Sequence, residues 1–548
     1  MKNVLIIGSG ISGLSCAIKC AAHGMRAIIL SPYPSERAQS VMAAGGINAV
    51  TEVCETGDSV QKHIEDTLKG GAYIGGESAV TGLCSHANEI IRYLEGIGTV
   101  FSVDENGRPV RRAFGGQSYK RTYFCGASTG KQIVSALVME ARRYESKDLI
   151  ERRTGVCFHS ALISDGICYG VLVFDEKTKA LEAIYADAVV MAVGGQNALF
   201  GKTTGSTLCD GYAAGRLFMQ GAVLKNLEFI QYHPTTLETS QKRILISEAV
   251  RGEGGRLYFE DDDTKKYFME EKYGPNGNLM TRDVVSKEIF LLDRNVFLDI
   301  SFKDKAFIDR YLPEVRDLCL KFGNIDISKK AIPVAPSVHF FMGGLAVHMN
   351  HETNIHNLYA IGECASMYHG ANRLGGNSLL AALYSGNVAA DDIAGKDSRQ
   401  DFEHKTKEFK DTITKEENKL KSILDSKSPF PVMYVRNMLA ETMRKHMGIV
   451  RNDESLTQGI EDVEYDLSVA EKIRYDSSVS IYSNYSLMGI LTMARASLTC
   501  AKERKESRGA HCRSDFPEQS EEYTYSTLIS YDDGAYRVTL DKERLYES

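Results

Sequence analysis

Five stretches set polar side chains among small or apolar ones: QYHPTT (231–236), ISEAVRGEGG (246–255), LMTRDVVS (279–286), SVHFFMGG (337–344) and GANRLGGNSLL (370–380). In the last, Arg373 has no carboxylate beside it in sequence, and its glycine and leucine neighbours gain nothing from exposure. Burying a lone guanidinium costs on the order of several kcal/mol unless an anion pairs with it, so its partner is a distant acid or a ligand. His233 or His339 alone reads as a packed core histidine. With the Ser247 hydroxyl and Arg373 they form a clamp for a small dianion, because arginine recognises a carboxylate bidentately. Glu248 and Arg251 lie three apart; on a helix they share a face, which serves either proton transfer or a plain ion pair.

These residues need a frame that holds them together. Residues 3–7, NVLII, read as a buried strand, followed by Gly8-Ser9-Gly10-Ile11-Ser12-Gly13 and a helical pattern through Ile11, Leu14, Ile18 and Ala21. Gly24 closes that helix, and RAIIL (26–30) reads as a second buried strand. A βαβ unit with GxGxxG at its first turn is a pyrophosphate site, the helix N-terminus stabilising the phosphate charge. The second strand ends in Ser31 instead of an acid, which weakens a nicotinamide-dinucleotide reading. Two further strand-then-glycine signals, DAVVMAVGG (187–195) and NLYAIGECA (357–365), predict a dinucleotide domain of non-contiguous pieces and point towards FAD.

The fold expected is α/β: a Rossmann-like FAD-binding domain over 1–235 and 345–400, an inserted α+β capping domain over 236–344, and a helical C-terminal domain over 401–548. The Lys-, Glu- and Asp-rich stretch 398–428 carries Phe402, Phe409, Ile413 and Leu420 near helical spacing and reads as a solvated amphipathic helix.

Composition narrows the function. The chain has 548 residues, 43% hydrophobic and 25% charged, which excludes disorder, and its net charge of −7 argues against a nucleic-acid partner. The twelve cysteines are dispersed, without the spacing of a zinc site or an iron–sulfur cluster, and reduced thiols suit a cytoplasmic protein. Cys16 and Cys20 read as packing residues on a helix. His348, His351 and His356 lack a completing ligand set and read as a solvated loop, so no metal site is expected. The N-terminal apolar run is too short for a signal peptide and no segment reaches membrane-spanning length. Any association with the inner face of the cell membrane then runs through partner subunits.

Together, GSGISGL, AAGGINA (43–49), FGGQS (114–118), QYHPT, EAVRGEGG, TRDVVS, HFFMGG, AIGECAS, HGANRLGGNSLL and ESRGAHCRSDFP (506–517) resemble the flavoprotein-subunit family of fumarate reductase and succinate dehydrogenase, which also contains L-aspartate oxidase. The resemblance implies that Gly8, Ser9, Gly10 and Gly13 lie along the FAD pyrophosphate, with Ser31, Gln39, Ser40, Gly45, Gly46 and Asp210 elsewhere along the cofactor. It implies Glu363 at the ribityl chain, and Asn377, Ser378 and Leu379 at the isoalloxazine pyrimidine, Arg373 being close to both cofactor and substrate. His233, Ser247, His339 and Arg373 would hold a dicarboxylate beside Phe114. Arg282 would be the proton donor, with Glu248 and Arg251 as its relay, while flavin N5 exchanges hydride with the other carbon of fumarate or succinate. A separate iron–sulfur subunit is implied, with a membrane-anchor or thiol-oxidising subunit as a further partner.

Two departures matter. Family members that attach flavin covalently carry a run resembling S-H-T-V-A-A-x-G-G; here it is Ala38-Gln39-Ser40-Val41-Met42-Ala43-Ala44-Gly45-Gly46, and an amide cannot form that linkage. Dissociable FAD is expected, with a lower potential that favours fumarate reduction. The missing linkage also fits L-aspartate oxidase, but the run resembling E-G-G-H-S in those enzymes is FGGQS here, and the Phe114 ring cannot neutralise an ammonium. The C-terminal run EEYTYSTLISYDDGAYRVTL also resembles the respiratory type. A flavin-bearing scaffold without turnover is disfavoured by the intact set His233, Arg282, His339 and Arg373.

Overall fold

The computed structural model describes residues 1–546 apart from 53, 241, 263, 398–401, 427–429 and 474–478. The apolar run at the N-terminus becomes the buried strand Asn3–Ile7, at the centre of a five-stranded parallel sheet. Its neighbours are Ala188–Met191 and then Leu358–Ala360 on one side, and Arg26–Ser31 and then Ile150–Thr154 on the other. Strands distant in sequence thus meet in one sheet, as the glycine-turn signals predict. Parallel strands covered on both faces must be apolar throughout, which is why these segments show no alternation.

The helix Ile11–Ala22 crosses from the first strand to the second, and Gly24 ends it at a φ of 76°. At the preceding turn Gly8 has a φ of 116°, and a Cβ there would lie 2.2 Å from the Ala192 carbonyl oxygen. No other residue type fits that approach.

A second hydrophobic cluster runs from Leu237 to Val334. It is built on an antiparallel six-stranded sheet centred on the long strands Ile230–Glu238 and Ile332–Phe341. Their register shifts between Gln231 and Tyr232 and again between His233 and Thr236. Pro234 lies in the second shift and has no N–H to give the ladder, so regular pairing fails just where His233 must turn. Helices Phe268–Tyr273, Arg282–Leu292, Lys305–Tyr311 and Pro313–Gly323 complete this α+β unit.

The C-terminal part packs Val432–His446, Asp453–Ala470 and Leu487–Glu503 together, and its last hairpin, Thr527–Asp532 with Ala535–Leu540, joins the sheet formed by Leu224–Lys225 and Gly344–Ala346. The charged stretch before it forms helices Phe402–Glu408 and Lys410–Asp425, with Phe409 packed on Leu162 and Leu172 and with Leu420 buried. The expected span 398–428 lies partly outside the described residues. One expectation needs correction: His351 is not solvated. It is fully buried, with Nδ1 2.8 Å from the Ala360 carbonyl and Nε2 2.5 Å from the Tyr368 hydroxyl. No helix among the described residues is long and apolar enough to cross a membrane.

Candidate active site

A cavity of about 1320 Å³ runs from the glycine turn of the parallel sheet to the junction with the α+β unit. At that junction lie the five polar stretches. Arg282 opens the helix Arg282–Leu292; its Nε and Nη2 donate to Glu248 Oε2 at 3.0 and 2.8 Å, and its Nη1 donates to Gln231 Oε1 at 3.0 Å. Glu248 also accepts from the Gly115 N–H at 2.8 Å and lies 3.3 Å from Arg251 Nη2. Burial opposes ionisation of Glu248, but Arg282 and Arg251 outweigh it and hold the carboxyl down to about 2. The four-residue helix Ala249–Gly252 puts Glu248 and Arg251 on one side, as their spacing allows; Arg251 sits behind Glu248, does not line the cavity, and donates to the Asn278 carbonyl at 2.6 Å.

Arg373 is buried, and its ion pair is missing. Among the described residues its guanidinium has one protein hydrogen bond, Nη2 to Gln231 Oε1 at 3.0 Å; its carbon lies 4.2 Å from the centre of the Phe340 ring. Nε has no partner, and burial with repulsion from Arg282 pushes the group's pKa well below its ordinary value. An anion in the cavity would relieve both. Among the described residues no acid lies within ion-pair range of Arg373, and Glu363 and Glu248 act on it only from a distance.

The two histidines face each other with ring centres 5.3 Å apart. His233 Nδ1 sits 3.1 Å from the Thr235 carbonyl and His339 Nδ1 2.9 Å from the Thr204 hydroxyl, so Nε2 of each ring is left for a ligand. Burial and then Arg282 push both well below the ordinary histidine range, so both rings are neutral in the protein alone. Ser247 and Phe114 line the same space; the phenyl ring lies against Gly45 and Gly375.

The other wall holds Gly8, Ser9, Gly10, Ser31, Gln39 and Ser40, then Gly45, Gly46, Asp210, Glu363, Ser378 and Leu379. Gly46 has a φ of 144° and a Cβ there would lie 2.3 Å from the Tyr123 carbonyl oxygen. This bare, extended wall is shaped for a dinucleotide. Burial pushes Glu363 up to about 7, partly offset by the Phe341 N–H and by Arg373. Gln39 Oε1 accepts the Ser206 N–H at 2.6 Å.

Two expected cofactor residues do not line the cavity. Gly13 is needed for packing: a Cβ there would lie 2.1 Å from the Gly8 carbonyl oxygen. The Asn377 amide is spent inside the protein, accepting from Asn48 Nδ2 at 2.7 Å, lying 3.0 Å from His63 Nε2 and donating to Thr67 at 3.0 Å. It anchors the start of helix Asn377–Gly395 instead.

Three residues went unpredicted. Gln231 holds both guanidiniums on one oxygen and donates to the Arg373 carbonyl at 2.7 Å. His369 lines the cavity with Nδ1 unpartnered, and Thr204 fixes His339. Gln231 and His369 lie inside QYHPTT and HGANRLGG, so position within a motif was the available signal; Thr204, in KTTGST, gave none.

Known proteins resemble this chain over nearly its whole length. Residues 3–379 match a family described as FAD binding domain, and residues 436–547 one described as fumarate reductase flavoprotein C-term. The succinate dehydrogenase flavoprotein subunit of Bacillus subtilis is 35% identical, over 96% of this chain and 94% of that protein. The L-aspartate oxidase of Yersinia pestis is 31% identical, over 95% and 97%. A solved E. coli quinol fumarate reductase flavoprotein superposes with a TM-score of 0.90 at 27% identity, over 98% and 96%. The chain is an FAD-dependent oxidoreductase that belongs to the family of succinate dehydrogenase and fumarate reductase flavoproteins, to which L-aspartate oxidase is also related.

Proposed function

We propose that this chain interconverts fumarate and succinate, working towards fumarate reduction, as the flavoprotein subunit of a larger complex. The observation that carries the reading is the unbalanced charge of the pocket. Arg282 and Arg373 line the substrate end with one firmly ionised carboxylate, Glu248, which Arg251 also pairs from behind, while Glu363 ionises only around neutrality. The surplus of positive charge is matched by a dianion. L-Aspartate brings an ammonium as well, and it would meet Phe114 and a Glu248 already committed to two arginines and an N–H. An unpaired buried ammonium is costly, so the aspartate oxidase reading is disfavoured.

The residues lining the cavity fit FAD: Gly8, Ser9 and Gly10 would lie at the phosphates, Glu363 at the ribityl chain, and Ser378 and Leu379 at the flavin ring. Bound there, FAD supplies the two-electron chemistry at the substrate carbon pair. The chain does the rest. Arg373 grips a carboxylate, and Nε2 of His233 and His339 orient the diacid, with the Ser247 hydroxyl beside them. Phe114 and Phe340 exclude water. Arg282 gives a proton to the substrate carbon and regains it through Glu248, with Arg251 behind; so weak an acid can donate only if the developing carbanion is a stronger base than the guanidine and a relay resupplies the proton. Gln39 makes FAD dissociable. Electrons arrive from an iron–sulfur subunit, the word subunit in the relative's name supporting a complex.

The test is a paired assay on the purified, FAD-loaded protein: viologen-linked fumarate reduction against aspartate-dependent peroxide formation. The first is expected to be strong and the second absent. The reverse pattern would replace this reading with aspartate oxidation.

A further inference from the structure

We propose that Lys202 and Lys242 form a cationic lip at the mouth of the site, which captures dicarboxylate dianions from solution and passes them to the buried pocket; the inference rests on the dicarboxylate reading above. Both side chains are exposed, and both line the same cavity as Arg282 and Arg373. Their place beside the substrate end follows from two contacts. Lys202 lies two residues before Thr204, whose hydroxyl is 2.9 Å from His339 Nδ1. The Arg243 N–H donates to the Thr203 carbonyl at 3.3 Å, which brings the loop carrying Lys242 alongside.

A solvated surface lysine is the ordinary explanation for each alone. Three observations weigh against it here. Arg243, which follows Lys242 and also lines the cavity, is neutralised by Glu238 at 2.9 Å, whereas neither lysine has an ion pair among the described residues. Of the acids along the cavity, Glu248 is held by two arginines and Glu176 by Lys179 at 2.8 Å, and burial opposes ionisation of Asp210 and Glu363, which leaves Glu314 as the acid the lysines must outweigh. The whole chain carries −7, so a dianion approaching at random is repelled unless a local field of the opposite sign overrides it. A low-dielectric cleft edged by one sign of charge focuses its field, and such steering raises association rates by about 10- to 1,000-fold.

Stopped-flow mixing of the FAD-loaded protein with malonate, a dicarboxylate with no carbon pair to oxidise, reads the association through the flavin absorbance. For Lys202→Gln with Lys242→Gln the association rate constant is expected to fall about tenfold at low ionic strength, with the dissociation rate constant unchanged. The variant and the original protein should converge near 1 M salt, where the Debye length is about 3 Å. An association rate constant and salt slope equal to those of the original protein would overturn the lip, as would an effect carried by dissociation. Failure of malonate to perturb the original protein's flavin would overturn the dicarboxylate reading and the lip with it.

Discussion

In the proposed reaction, Arg282 is the residue on which the chemistry turns. It alone lines the cavity, donates twice to Glu248 and shares Gln231 Oε1 with Arg373. Gln231 thereby holds two like charges at a fixed spacing, a costly arrangement that the ligand's charge offsets. For Arg282→Ala, fumarate reduction should fall about 1,000-fold, within the range typical of a lost general acid. Flavin content should change little, and malonate should bind more weakly but still saturably, because one cation of the surplus is lost while Arg373 and the histidines remain. Comparable turnover in the variant would remove Arg282 from proton transfer. The residue scale was the most legible in sequence: an arginine set among glycines raises the question of its anion without any structure. What stayed hidden was Gln231 and Thr204, since a neutral amide or hydroxyl carries no electrostatic cost that composition could reveal.

At the scale of elements, turns decide where the chemistry sits. Gly8 lets the turn after the first strand pass close to Ala192, just beyond the neighbouring strand, where any Cβ would collide with its carbonyl, and Pro234 breaks the ladder beside His233. Replacing Gly8 with alanine should cost about 1–3 kcal/mol through overpacking, read as a lower denaturant midpoint, and the protein should purify largely without flavin. A variant that retained full flavin would show that this turn does not shape the cofactor wall. Gly13 and Asn377 show the limit of reading such motifs from spacing. The GxGxxG pattern gives three glycines at one turn but not which of them faces the ligand and which faces the backbone. Here the third is consumed by the Gly8 carbonyl. Likewise Asn377 is turned inwards by Asn48, His63 and Thr67, partners more than 300 residues away in sequence, which no local pattern brings together.

Across the whole molecule, three distant regions converge on one cavity. The parallel sheet supplies the cofactor wall, the α+β unit brings Ser247, Glu248 and Arg282, and Met433, Arg436, Asn437, Ala440, Ser480, Tyr482 and Ser483 of the C-terminal part complete the lining. The last region is tied down by buried charge: Arg504 donates to Glu228 at 2.6 Å and to Glu506 at 2.8 Å, and Arg508 donates to Glu506 and to the Ala72 carbonyl. The sheet assembled from strands near residues 5, 190 and 359 was legible because each carried its own glycine turn. The C-terminal hairpin's return to the sheet of Leu224–Lys225 was not, because edge pairing leaves no mark on composition. Gln39 accepts the Ser206 N–H and so ties two segments of the cavity wall, and in the proposed reading its amide forms no covalent bond to the cofactor. Acid precipitation should therefore leave the yellow colour in the supernatant; colour retained in the pellet would contradict a dissociable flavin.

The claim beneath all of this is that surplus positive charge, buried beside the flavin, selects a ligand with two carboxylates and no ammonium. Spectral titration of the FAD-loaded protein with succinate, L-aspartate and butyrate tests it most directly. Succinate should bind about 100-fold more tightly than either of the others, the expected size of one lost charge-assisted contact or one uncompensated charge. L-Aspartate binding as tightly as succinate would contradict the account.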